Sequence, residues 1–163
     1  MKKIFWSRGY SALTGGIIYM SGDTVAAWIS NEVSIVRLLG IFLVGSSIYA
    51  WEIQSYFQWI EGKTSDQNIR FRALKKALMA MIYFNPIWIS RHLLFVFLFS
   101  GKAYHISWYL LQSGLIAFIV NIPISVVANY LIQNVIILRY RFWVSAVFSG
   151  IMAIYYSMSS IWF

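Results

Sequence analysis

The sequence predicts an all-α fold: a polytopic transmembrane helix bundle of about five membrane-crossing segments, one domain over residues 1–163, with the fourth segment broken near Pro123. Three observations predict it. Hydrophobic residues make up 60% of the chain and charged residues 11%, whereas a soluble domain carries about a quarter charged residues. Such a chain cannot cover a water-facing surface. Apolar stretches recur at the ~20 residues that a helix needs to cross a bilayer core. The basic residues gather between alternate stretches, as they do on the inner face of a membrane.

The first segment runs from Tyr10 to about Ile29. Its basic leader, MKKIFWSR, could pass for a signal peptide, but the apolar part is a full span without a convincing cleavage site, so an uncleaved first helix is expected. A short turn, SNEVS, precedes the second segment, from about Arg37 to Ile60. The long polar stretch 61–76 follows, and the third span covers Ala77 to Ser100. After GKAYH comes an apolar region of 33 residues, 106–138. As one straight helix it would be ~50 Å long. Pro123 removes a helix hydrogen bond, and Asn121, Gln133 and Asn134 add polarity, so a broken or kinked element is expected there. The last span runs from Phe142 to about Trp162.

Five crossings place ten of the thirteen basic residues on the side of the N-terminus: Lys2, Lys3, Arg8, Lys63, Arg70, Arg72, Lys75, Lys76, Arg139 and Arg141. That side is then the matrix or cytoplasmic one. Arg37 and Lys102 fall on the other side and Arg91 lies within span three. Six crossings would strand Arg139 and Arg141 outside. The net charge of +8 is thus assigned to lipid phosphates and not to nucleic acid.

Small residues form faces on two spans. Ser11, Gly15, Gly22 and Ala26 fall within about 60° on a helical wheel, and Ser145, Ser149, Ala153, Ser157 and Ser160 repeat the pattern. Such faces let helices approach closely, and packing is favoured over a pore lining. The intramembrane polar candidates are Asp23, Glu52, Arg91, His92 and Asn129. An ionised group near the bilayer centre costs ~2.5–3.5 kcal/mol on insertion scales, so it pairs or faces water. Asp23 and Arg91 each lie ~4–5 Å beyond the midplane when depth is counted along their helices, and a buried Asp23–Arg91 pair is expected. His92 points about 100° away from Arg91, and a hydrogen-bonded packing role is the simpler one.

The chain has no cysteine and two histidines. Thiolate chemistry and disulfides are excluded, and no metal-ligand spacing, catalytic triad, phosphate loop or carboxylate pair stands out. No enzyme activity, metal or cofactor is expected.

The small and polar residues together resemble the family of small multi-span organelle proteins typified by Mpv-seventeen and the twenty-two-kilodalton peroxisomal membrane protein. The resemblance rests on Thr14, Gly16, Gly22 and Asp23; on Gly45 and Trp51, with Ser46 in place of a proline; and on Lys75, Lys76, Phe84, Pro86 and Gly101. Ala80 and Met81 replace an Asp-Gln pair. Pro123, Asn129 and Tyr130 follow, with Ile122 in place of a tryptophan, then Tyr140, Arg141, Tyr155 and Ser157. The resemblance implies an inner mitochondrial or a peroxisomal membrane and a pore or a role in metabolite passage. The short basic N-terminus suits a bacterial inner membrane equally. The function expected is a pore or transporter-like channel for small solutes or ions; the alternative is a non-transporting structural or accessory subunit. Partners expected are membrane lipid and small solutes or ions, with a homo-oligomer left open and no nucleic acid.

Overall fold

A computed structural model describes residues 8–65, 69–84 and 86–162. Lys2 and Lys3 lie outside the described residues, as do the side chains of Arg8, Ser11, Arg70, Ala153, Ser157 and Ser160. The described chain is helical, with no strand. Helix α1 spans Arg8–Ile29, α2 Ile35–Val44, α3 Ala50–Lys63, α4 Ile69–Tyr83, α5 Pro86–Phe99, α6 Trp108–Asn134 and α7 Leu138–Trp162. A π turn, Gly45–Tyr49, joins α2 to α3, so that Ile35–Lys63 is one long helix. Within that turn the Ser46 and Ser47 hydroxyls donate to the Leu43 carbonyl at 3.1 and 2.5 Å, a side-chain bond to the preceding turn that accompanies bends in helices.

Three helices are long and apolar enough to cross a membrane: Ile35–Lys63, Phe71–Phe99 and Trp108–Asn134. Two boundaries differ from expectation. The polar stretch 61–76 is mostly helix, because α3 continues to Lys63 and α4 begins at Ile69. Its Arg, Ala, Leu and Lys residues are good helix formers. The apolar region 106–138 is not broken at Pro123: α6 runs through it as one helix of 27 residues. A proline forfeits one hydrogen bond and not the helix where neighbours hold the backbone, and α6 is held by α4, α5 and α7.

Glycines set the closest approaches. A Cβ on Gly22 would lie 2.3 Å from the Gly150 carbonyl oxygen, so the backbones of α1 and α7 touch there. A Cβ on Gly15 would lie 2.8 Å from the Gly45 oxygen, which brings α1 against the π turn, and one on Gly16 would meet the Phe42 ring at 2.8 Å. On α6, a Cβ at Gly114 would lie 2.3 Å from the Ser90 hydroxyl, which itself donates to the Leu110 carbonyl at 3.0 Å. The small-residue face of α1 is therefore a packing surface.

The two turns at one end share a design. Helix α1 ends on Asn31 with φ 56°, and the Glu32 amide donates back to Ala27 at 2.7 Å. Helix α5 ends on Gly101 with φ 71°, and the Lys102 amide donates back to Phe97 at 2.9 Å. Both are Schellman caps, which need a residue tolerant of left-handed backbone. They deliver Glu32 and Lys102 at equivalent positions, one residue past the cap.

Candidate functional site

At that end the turns enclose an open vestibule of about 470 Å³, lined by Ser30, Glu32, Arg37, Lys102 and His105 and by an apolar wall from α5, Leu93, Val96 and Phe97. Lys102 donates to Glu32 across it. Arg37 closes its inner side: the guanidinium lies 3.7 Å from Glu32 and makes a bidentate pair with Asp23, Nε to Oδ2 at 2.7 Å and Nη2 to Oδ1 at 2.6 Å. Asp23 is 1% and Arg37 2% exposed. A paired fork of this kind is the strongest ionic hydrogen bond available to carboxylates.

The predicted Asp23–Arg91 pair is therefore wrong. Asp23 takes Arg37, a residue assigned to the far side of the membrane on charge counting. The crossing of α1 and α2 decides it: Gly15 packs on Gly45, and Asp23 and Arg37 each lie eight residues from that contact toward the shared turn. Arg91 pairs with Glu52 instead, at 3.1 and 2.7 Å, both side chains 30% exposed. Counted along its own helix, Glu52 falls in the inner half of span two, whereas Arg91 falls in the outer half of span three. Two long side chains and the register of Ile35–Lys63 against Phe71–Phe99 close that gap: Gly40 faces Phe99 and the Tyr56 ring lies 4.7 Å from Tyr83, so Glu52 and Arg91 are about one helical turn apart.

His92 is 1% exposed and lies deeper than the vestibule. Its Nδ1 is 3.3 Å from the Tyr49 hydroxyl, and its ring stacks on Trp88, centroids 5.9 Å apart at 6°. Tyr49 is itself enclosed by Tyr19 and Trp88 and carries the Arg91 guanidinium 5.5 Å over its ring. Nε2 of His92 has no hydrogen-bond partner among the described residues.

Asn129 is buried, but its amide donates to the Ser125 carbonyl of its own helix at 2.8 Å. Asn121 donates to the Ser125 hydroxyl at 2.9 Å. Neither lines the vestibule. Of the glycines and prolines with family-like spacing, Gly16, Gly22 and Gly45 pack helices, Gly101 caps one, Pro86 opens α5 and Pro123 lies inside α6. Trp51 is 71% exposed on the outer surface.

A third charged cluster sits at the opposite end and was not foreseen. Glu61 accepts from Lys76 and from Arg141, each at 2.6 Å, and Arg141 also donates to the Ile136 carbonyl at 2.9 Å. Both cations are buried. The sequence carries the signal, since Glu61 opens the polar stretch 61–76 with its basic residues, but a count of basic residues per side hides it. All four acidic side chains among the described residues are thus ion-paired. No cluster of three His, Asp or Glu side chains that could hold a metal occurs among them. In comparisons with known proteins, the chain matches no family model, no curated protein and no solved structure.

Proposed function

We propose that the chain is an integral membrane protein whose five helical segments cross the bilayer, and that it passes small polar solutes or ions as a pore or a related transporter. One observation carries the reading: a vestibule of about 470 Å³ opens at one end and terminates on the buried Arg37–Asp23 pair. Charged groups that line a wet cavity inside an apolar bundle mark a solute path. The exterior supports the membrane setting, with Trp28, Ile35, Leu43, Trp51, Ile82 and Val127 exposed while Asp23, Arg37, His92 and Gln133 are buried. The resemblance of its motifs to those of the Mpv-seventeen-like proteins points the same way. An inner membrane, with the basic end on the matrix or cytoplasmic side, is part of the proposal.

The second reading, a non-transporting accessory subunit, draws on the neutralisation of every described acid. Flux separates the two. The protein has no cysteine, so Tyr104→Cys places a single thiol in the vestibule wall, at a position 78% exposed. In liposomes the purified protein is expected to release small entrapped solutes or ions, and a bulky impermeant thiol reagent on Tyr104→Cys to cut that flux by more than half. No flux from the unmodified protein sinks the transport reading.

A further inference from the structure

The vestibule has the look of an anion site already filled. Glu32 pairs with Lys102 and lies 3.7 Å from Arg37. The Glu32 and Lys102 side chains are about one-third exposed, whereas Arg37 is sealed at 3%. Glu32 sits in the short turn between α1 and α2, one residue past the left-handed Asn31. Its side chain can rotate outward without unwinding either helix.

We propose that the vestibule binds small organic monoanions, a carboxylate on a compact apolar or aromatic body, and that Glu32 is a tethered competitor holding the anion position until such a ligand displaces it. The proposal rests on the vestibule being the solute mouth inferred above. Charge selects a monoanion. Arg37 is balanced by Asp23, so removal of Glu32 leaves one net positive charge, that of Lys102, with the Arg37 guanidinium edge beside it. An incoming carboxylate restores neutrality and releases Glu32 to water. An incoming cation would have to compete with both Lys102 and Arg37 for the one carboxylate present. Shape selects the body: Leu93, Val96 and Phe97 form one wall and Tyr104 and Tyr109 another. The volume of about 470 Å³ lies within the range of small-molecule pockets, roughly 300–1,000 Å³. A tethered group acts at an effective concentration of order millimolar, and a site blocked most of the time binds more weakly in proportion.

The test uses radiolabelled benzoate and the full-length protein in nanodiscs. Saturable binding is expected, displaced by unlabelled benzoate but not by benzylamine or benzyl alcohol. Glu32→Gln is expected to bind benzoate at least tenfold more tightly, with Glu32→Ser as a second variant should the first fail to fold, and Lys102→Gln to lose binding. Equal affinity in wild type and the Glu32 variants, no saturable binding in any of them, or equal displacement by benzylamine would overturn the proposal. The same preparations in liposomes keep the two readings apart. Benzoate binding without solute flux removes transport and leaves the site; solute flux without benzoate binding removes the site and leaves transport.

Discussion

Asp23 and Arg37 carry the sharpest energetic consequence of any two side chains in the molecule. Both are nearly sealed from solvent. Deleting one partner leaves an uncompensated buried charge, which costs about 3–5 kcal/mol, whereas replacing both by apolar groups of similar volume is close to neutral. Asp23→Asn is therefore expected to lower stability in a detergent unfolding titration by roughly that amount, and Asp23→Leu/Arg37→Met to recover most of it. A charge swap sharpens the assignment. Asp23→Arg/Arg37→Asp should express better than either single variant, while Asp23→Arg/Arg91→Asp should not; the opposite ranking would return Asp23 to Arg91. The pair was legible in the sequence once Gly15 and Gly45 are taken as the crossing point, since equal spacing toward a turn places two residues opposite. Depth along each helix alone misleads, because an Arg side chain spans more than one helical turn. Glu52–Arg91 was not legible, because its register depends on aromatic packing between Tyr56 and Tyr83 that no local pattern encodes.

At the scale of the helices, glycines do two different jobs, and substitution tells them apart. Gly22 has no room, since a Cβ would meet the Gly150 carbonyl at 2.3 Å. Gly101 has open space around it but a φ of 71°, which costs a side-chain-bearing residue about 1–2 kcal/mol. Asn tolerates that backbone and already performs the same task at position 31. Gly101→Asn is expected to leave the unfolding midpoint nearly unchanged. Gly22→Asn should force α1 from α7 and lower it strongly. Comparable losses at the two positions would contradict the division. The turns near 30–34 and 101–105 were readable from hydropathy and from the parallel strings SNE and SGK. The extent of α3 and α4 was not, because helices that end in lysine and arginine look like loops to a hydropathy scan. The continuity of α6 through Pro123 was not readable either, since it depends on the helices packed around it.

For the whole molecule, charge is arranged in tiers. Glu32, Lys102, Arg37 and Asp23 occupy the vestibule end; Glu52 and Arg91 lie farther in; Glu61, Lys76 and Arg141 close the opposite end. The last tier ties the end of α3 to the middle of α4 and the start of α7. Lys63, Arg72, Lys75 and Arg139 belong to the same end by the alternation of the helices. Tyr104 and His105 belong to the other. If the helices cross a bilayer as proposed, these two ends face different compartments, and the assignment follows from chain order alone. The cysteine-free chain allows a direct check. Single thiols at Lys75→Cys and Tyr104→Cys are expected to react with an impermeant maleimide from opposite sides of sealed vesicles. The lysine-side thiol should react from the compartment that also holds the N-terminus. Labelling of both from one side would mean that Phe71–Phe99 does not cross, and the five-segment topology would fall with it.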